Sequence, residues 1–123
     1  MSEELKVSIL VGMTLTSVEI DRGDWSEVRF KTTTGRTFRL WHNQDCCETV
    51  RLTDIVGNPE DLVGVPLLMA DESTQDTASN FEREAGRWTF YKFGTIKGYV
   101  DLRWEGYSDY YSVAVDFEEV KDA

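Results

Sequence analysis

The stretch RWTFYKFGTIKGYVDLRWE, residues 87–105, decides the fold. It contains two runs rich in aromatic and β-branched residues, 87–93 and 99–105, with a glycine-containing turn between them. Such runs are typical of antiparallel strands joined by a tight turn. A third run, 110–117, has a similar composition. The last third of the chain is therefore predicted to form three consecutive antiparallel strands.

The first half of the chain alternates apolar and polar residues around positions 18–20, 28–30 and 38–40. A period of two indicates strands with one buried face, so these segments are predicted to form an antiparallel meander. A further short strand is predicted at 50–52. The apolar run 65–70 predicts a buried strand.

Two short helices are predicted outside the strands. Residues 3–11 fit a helical stripe and a strand equally well, and a short helix is the interpretation adopted. Asn58 is predicted to cap a second helix because its side chain can accept a backbone hydrogen bond, and Pro59 suits the first helical position.

The segment 71–86 is polar and acidic and contains few aliphatic residues. This composition predicts a flexible loop, because the segment has little apolar surface to bury. The chain of 123 residues is long enough to bury a core as one unit. Together the patterns predict a single α+β domain over residues 1–123, rich in β structure, with a mainly antiparallel meander sheet and one or two short helices.

The chain is strongly acidic: 13 basic and 23 acidic side chains give a net charge of −10. Such a charge repels phosphate backbones and anionic membranes, so neither is an expected partner. No apolar stretch approaches the roughly 20 residues of a membrane-spanning helix, and the start Met-Ser-Glu-Glu lacks the basic residues of a signal peptide. A cytoplasmic protein is predicted, with a homo-oligomer left open.

The junction WHNQDCCE, residues 41–48, contains the only histidine, His42, and both cysteines, Cys46 and Cys47. His42 follows the alternation of the preceding strand, so its side chain is predicted to extend an apolar row toward the core. The adjacent cysteines are predicted to be reduced thiols, because a disulfide between neighbours closes a strained ring and the cytosol reduces exposed disulfides.

Three kinds of chemistry could use this junction. Zinc would take His42, Cys46 and Cys47 with Asp45 or Glu48, but adjacent cysteines in an extended segment point to opposite faces. A cysteine nucleophile with His42 as its base lacks a recognisable motif. Carboxylate pairs are too common in this acidic chain to indicate hydrolysis. A structural histidine and a buried cysteine are favoured, and no catalytic residue, metal or cofactor is predicted.

A small nucleotide is an alternative ligand. Neither glycine-rich phosphate-binding fingerprint occurs, but a base could stack on an aromatic ring while a basic side chain meets its phosphates. The residues available for this are Trp41, Trp88, Tyr91, Tyr99, Arg39, Arg51, Lys92, Lys97 and Arg103. Core aromatics and solvated basic residues would explain the same composition.

Protein binding is the function that the composition favours. Tyrosine and tryptophan serve as rigid anchors in interfaces, and acidic residues steer a basic partner. An acidic surface can also occupy a nucleic-acid-binding groove by placing carboxylates where phosphates would lie. The predicted binding surface joins the junction to the aromatics of the C-terminal strands and comprises Trp41, His42, Gln44, Asp45, Cys46, Cys47, Glu48, Trp88, Tyr91, Lys92 and Lys97.

Three groups of residues form a pattern: His42-x-Gln44-Asp45-Cys46-Cys47-Glu48, then 54–57 with 61–64, and 88–93 with 96–98. In these motifs, from about residue 11 to residue 120, the chain resembles an uncharacterised family of small bacteriophage and prophage proteins. The resemblance implies the cytoplasm of a bacterial host, where small acidic proteins often inhibit host machinery or defence components. Stoichiometric inhibition of such a component is the expected function.

Overall fold

A computed structural model of the chain describes residues 5–42, 49–77, 85–108 and 114–120. These residues form eight strands: β1 (Leu15–Ile20), β2 (Glu27–Thr32), β3 (Thr37–Trp41), β4 (Thr49–Val56), β5 (Met69–Thr77), β6 (Ala85–Thr95), β7 (Gly98–Ser108) and β8 (Asp116–Val120). They make two four-stranded antiparallel sheets, with strand orders β1-β2-β3-β8 and β4-β7-β6-β5. The protein is β-rich and antiparallel as predicted, but its strands form two sheets.

Helical structure within the described ranges is limited to two four-residue 3₁₀ turns, Val7–Leu10 and Pro59–Leu62. The predicted cap of the second is confirmed: the Asn58 side chain accepts a hydrogen bond of 3.1 Å from the Glu60 backbone N–H. The helical part of the predicted α+β class therefore consists of short turns. Neither turn is long and apolar enough to cross a membrane.

The acidic segment differs from its prediction. β5 continues through residues 71–77 and β6 begins at Ala85, so the loop predicted over 71–86 is wrong for these positions. Residues 78–84 lie outside the described ranges. The buried strand predicted over 65–70 also shifts, because β5 begins only at Met69.

The last strand joins a different sheet from the one predicted. β8 pairs with β3, where Leu40 lies opposite Phe117, instead of following β7 in one continuous meander. Of the third strand predicted over 110–117, residues 110–113 lie outside the described residues, and only Asp116 and Phe117 belong to β8, which is part of the other sheet. The meander predicted for the first half is confirmed as β1, β2 and β3.

The two sheets share one hydrophobic core. Phe30 of β2 and Phe93 of β6 lie with their ring centroids 5.2 Å apart and form a direct contact between the sheets. On β3 the inward-facing residues Phe38 and Leu40 are fully buried, as is Trp104 on β7. Strand alternation places these side chains on the inner faces and leaves the intervening residues on two outer faces.

The loop between β1 and β2 connects the sheets at one edge. The Asp21 carboxylate orders it by accepting hydrogen bonds from the Gly23 backbone N–H at 3.0 Å and the Ser26 hydroxyl at 3.2 Å. Trp25 has a φ of 55°, which is uncommon for a bulky residue. Its carbonyl oxygen accepts the Leu52 N–H at 2.7 Å, so this loop satisfies a backbone group of the terminal strand β4.

Candidate functional site

His42, at the start of the cysteine-containing junction, has a structural role. His42 follows β3 and is only 8% exposed, which confirms the prediction that its side chain points toward the core. Its Nδ1 donates a hydrogen bond of 2.7 Å to the Ala114 carbonyl oxygen and thereby ties β3 to the segment before β8. The other predicted binding residues of the junction, Gln44, Asp45, Cys46, Cys47 and Glu48, lie outside the described residues.

Trp41 lies on the outer face of the first sheet beside a charged network. The Arg39 guanidinium sits 3.8 Å from the centroid of the Trp41 ring. Arg39 also bonds the Glu27 carboxylate at 3.0 Å and the Glu118 carboxylate. One face of this tryptophan is thus occupied by a neighbour of its own strand.

Across the part of the chain that the structure covers, no group of three or more histidine, cysteine, aspartate and glutamate side chains could hold a metal ion. The predicted zinc alternative depends on Cys46 and Cys47, which this search does not include.

Tyr91 lies in the core. Its side chain is 1% exposed, and its ring stacks on Phe93 with a centroid distance of 6.3 Å. The hydroxyl donates a hydrogen bond of 3.2 Å to the Glu72 carboxylate. The ring is therefore not available for an external ligand, which corrects the prediction that Tyr91 belongs to a binding surface. Burial, reinforced by the negative charge and hydrogen bond of Glu72, raises the pKa of Tyr91 well above its usual range.

This environment predicts an alkaline loss of stability. The folded protein holds the Tyr91 proton more tightly than the unfolded chain, so the stabilisation is complete below a pH of about 10 and is lost as the pH rises further. Tyr91→Phe should reduce the slope of unfolding free energy against pH above about 10 by up to about 1.4 kcal/mol per pH unit. At neutral pH the variant should lose about 1 kcal/mol with its hydrogen bond.

Urea unfolding of the two proteins across this pH range measures the difference. Tyr99→Phe is the matched control, because Tyr99 is 61% exposed. An alkaline slope that Tyr91→Phe leaves unchanged would contradict the prediction.

Lys97 also has a structural role. It lies in the turn between β6 and β7, and its Nζ donates a hydrogen bond of 2.7 Å to the Val63 carbonyl oxygen. Its own backbone N–H bonds the Thr95 hydroxyl at 3.1 Å. Lys97 thus attaches the segment after the second 3₁₀ turn to the β6–β7 hairpin.

The outer face of the second sheet combines aromatic and charged side chains. Trp88 and Lys92 of β6 share this face with residues of β7 that lie opposite them. The Arg103 guanidinium is 5.0 Å from the Trp88 ring centroid, and Lys92 Nζ is 5.4 Å from that of Tyr99. Arg103 also pairs with the Asp54 carboxylate of β4 at 3.5 Å. Lys92 and Arg103 therefore already contact aromatic rings of this face, and Arg103 also contacts an acid.

A cavity of about 420 Å³ opens on this face. We call it the outer cavity; the residues that line it are Asp54, Val56, Asp71, Glu72, Ser73, Phe90, Tyr91, Lys92, Asp101, Leu102 and Arg103. Its lining combines apolar side chains, Val56 and Phe90 among them, with four carboxylates and two cations. Of the predicted binding residues that the structure describes, only Lys92 and Tyr91 line this cavity, and Tyr91 is buried.

Tyr99 lies beside the outer cavity and covers a glycine. A Cβ added to Gly94, the residue opposite it on β6, would come within 2.7 Å of the Tyr99 ring. The absence of a side chain on Gly94 therefore lets the ring lie against the sheet. With 61% of the residue exposed, Tyr99 presents a fixed aromatic surface to solvent.

Sequence reasoning missed the contribution of Phe90, Val56 and the carboxylates around them. Alternation along β6 places Trp88, Phe90 and Lys92 on one face and Thr89 and Tyr91 on the other, but it does not indicate which face is outward.

A model of a domain of unknown function, DUF7448, matches residues 8–117 of the chain. No curated protein and no solved structure matches it.

Proposed function

The chain belongs to the DUF7448 family, a domain of unknown function, and from its own geometry we propose that it is a non-enzymatic binding protein. Its partner is a protein with a basic surface, which docks on the outer face of the second sheet. The observation that carries this proposal is the outer cavity, where an apolar centre is surrounded by charged side chains.

This arrangement has the anatomy of a protein interface. Interfaces place apolar and aromatic anchors at the centre and polar residues at the rim. Val56 is 57% exposed and Tyr99 is 61% exposed, so two large side chains beside the cavity offer apolar area to a partner. A side chain inserted against Phe90 would be shielded from water by the surrounding charged residues.

Charge favours a basic partner. The whole chain carries a net charge of −10, and the outer cavity has four carboxylates against two cations. Of these cations, Arg103 is paired with Asp54, and Lys92 lies between Asp71 and Asp101 on the neighbouring strands. Approach of a cationic surface is therefore favoured by the long-range field and by the local rim.

The nucleotide alternative has less support. Tyr91 is buried, and a guanidinium already lies over one face of both Trp41 and Trp88. Lys97, one of the basic residues considered for phosphates, donates to a backbone carbonyl. A nucleotide would have to displace these contacts before it could stack or pair.

The proposed biological setting follows from the resemblance to bacteriophage and prophage proteins. In the cytoplasm of a bacterial host, the protein would bind one host or defence component stoichiometrically and inhibit it. Occupying a basic groove that otherwise binds nucleic acid is one way in which an acidic protein achieves this.

The test is affinity capture from a bacterial lysate, identification of the captured protein, and measurement of the dissociation constant with both proteins purified. Asp101→Lys should weaken the complex by about tenfold or more, because it removes a rim carboxylate and adds a cation. Glu19→Lys is the matched control: it makes the same charge change on the exposed part of β1 in the first sheet. Equal effects of both variants would reject the outer cavity as the binding site.

A double variant, Cys46→Ser with Cys47→Ser, separates binding from catalysis. The folded variant should retain partner binding and inhibition if the protein acts by binding alone, whereas a cysteine-dependent enzyme would lose activity outright. Native mass spectrometry of the gently purified protein tests the remaining alternatives, a bound nucleotide and a bound zinc ion. A stoichiometric nucleotide or zinc ion would overturn the proposal.

A further inference from the structure

Among the described residues, no further strand pairs with the outer edge of the second sheet. β5 is its terminal strand and pairs with β6 on one side only. On the other side, Leu67 exchanges backbone hydrogen bonds with the N-terminal segment, accepting from Gly12 at 2.8 Å and donating to Met13 at 2.9 Å. Within the described ranges, no backbone bond covers this edge beyond Leu67.

The register identifies the free backbone groups. Gly94 accepts the Leu68 N–H at 2.8 Å, so the Gly94 carbonyl faces β5 and the opposite residue, Met69, directs its own backbone groups at β6. Backbone direction alternates along an antiparallel strand, and the β5–β6 pairing has no bulge. The N–H and C=O groups of Glu72 and Thr74 therefore point away from the sheet.

Space for a further chain exists beside these groups. A groove of about 440 Å³ lies between residues 70–74 of β5 and residues 6–8 of the N-terminal segment. Its size is within the range of ligand clefts in proteins. An extended segment entering the groove would meet the backbone groups of Glu72 and Thr74 directly.

The side chains indicate what the segment is. The sequence of β5, MADESTQDT, contains acidic residues and no lysine or arginine, and residues 71–75 are exposed. The groove itself is lined by two carboxylates, Asp71 and Glu72, and one cation, Lys6. A second copy of β5 would bring like charges together, which disfavours self-pairing. A segment that carries lysine or arginine would gain cross-strand charge pairs as well as backbone hydrogen bonds.

We propose that the free edge of β5 binds an extended basic segment of a partner protein as an added strand, through the backbone groups of Glu72 and Thr74. The proposal rests on the proposed function, because it assigns a mode of recognition to the same partner. Asp71 also lines the outer cavity, so an added strand and a side chain in that cavity could belong to one interface.

The first experiment uses a short capped peptide of alternating lysine and valine as the probe and follows backbone amide exchange by NMR. In the free protein the amides of Glu72 and Thr74 should exchange quickly, while that of Ser73, bonded to β6, is protected. The peptide should slow exchange at Glu72 and Thr74 by about tenfold or more. A control peptide with the same charge, N-methylated at alternate residues so that it cannot form the strand hydrogen bonds, should not slow this exchange. Equal effects of both peptides would show attraction by charge alone and overturn strand addition.

The second experiment uses two variants. Thr74→Pro removes an outward N–H and should abolish peptide binding without breaking the β5–β6 ladder, whereas Asp101→Lys should leave peptide binding within about twofold. If Thr74→Pro does not fold, the comparison of the probe peptide with its N-methylated control still tests strand addition. A partner complex that is sensitive to Asp101→Lys and indifferent to a folded Thr74→Pro would overturn strand addition while the proposed function stands. If both folded variants still bind the partner as tightly as the original protein, strand addition and the proposed function are both rejected.

Discussion

Gly57→Ala is expected to lower the free energy of unfolding by about 3 kcal/mol. Gly57 follows β4 and has a φ of 99°, a region that costs an L-residue about 1 to 2 kcal/mol. A Cβ at this position would also clash with the Tyr99 carbonyl oxygen. Because that obstacle is backbone, no side-chain rotation relieves it, and the end of β4 must move away from β7.

Chemical denaturation measures the loss, and Gly35→Ala is the matched control. Gly35 has a similar φ of 84°, but a Cβ there would meet nothing within 4 Å. The control should therefore lose only the conformational cost, about 1 kcal/mol. Equal losses in the two variants would contradict the role of the Tyr99 contact. Since β4 carries Asp54 and Val56, Gly57→Ala should also weaken partner binding at the outer cavity, which the control should not.

The local strands could be predicted from sequence because alternation is a local property. On β2, Val28 and Phe30 are buried while Arg29 is partly exposed, which is the period of two that the sequence shows. The same reasoning placed His42 correctly on the inner face. A strand with one buried face leaves this signature whichever strand it pairs with.

Strand partners could not be predicted in the same way. The 110–117 run resembles its neighbours in composition, yet the strand that contains its last two residues, β8, begins at Asp116 and pairs with β3, where Phe117 stacks on Phe38 with ring centroids 5.6 Å apart. Composition indicates that a strand buries apolar side chains, whereas the strand with which it pairs depends on the topology of the chain. β5 was missed for a related reason: residues 71–75 are exposed, so this edge strand has little of the apolar alternation by which strands are recognised.

The candidate site was predicted only in part because aromatic composition does not distinguish the two faces of a sheet. Trp88, Tyr91 and Lys92 were grouped as one surface, but Tyr91 faces the core while the other two face outward. In the run WTFYKF nearly every residue can be buried, so alternation leaves the inner face undetermined. The contact of Phe93 with Phe30 in the other sheet identifies the inner face of β6.

Because Phe93 contacts Phe30 across the two sheets, Phe93→Ala should lower the free energy of unfolding by about 4 kcal/mol. Phe93 is fully buried and contacts both Phe30 and Tyr91, so truncation removes apolar burial and leaves a cavity between the sheets. A loss of this size is a large fraction of the stability of a typical domain. Urea unfolding should show a much lower midpoint. Ile96→Ala, at a residue that is 82% exposed in the next turn, should change the stability by less than about 0.5 kcal/mol.

A double-mutant cycle shows whether the loss belongs to the contact between the sheets. Phe30→Leu, Phe93→Leu and the double variant keep apolar volume while they remove the ring pair, so each protein should remain folded. The coupling energy should be about 1 kcal/mol, because the tilted rings lie at a favourable centroid distance of 5.2 Å. A coupling near zero would mean that the rings contribute by burial alone. In that case any apolar side chain of similar volume would hold the second sheet, and with it the outer cavity, against the first.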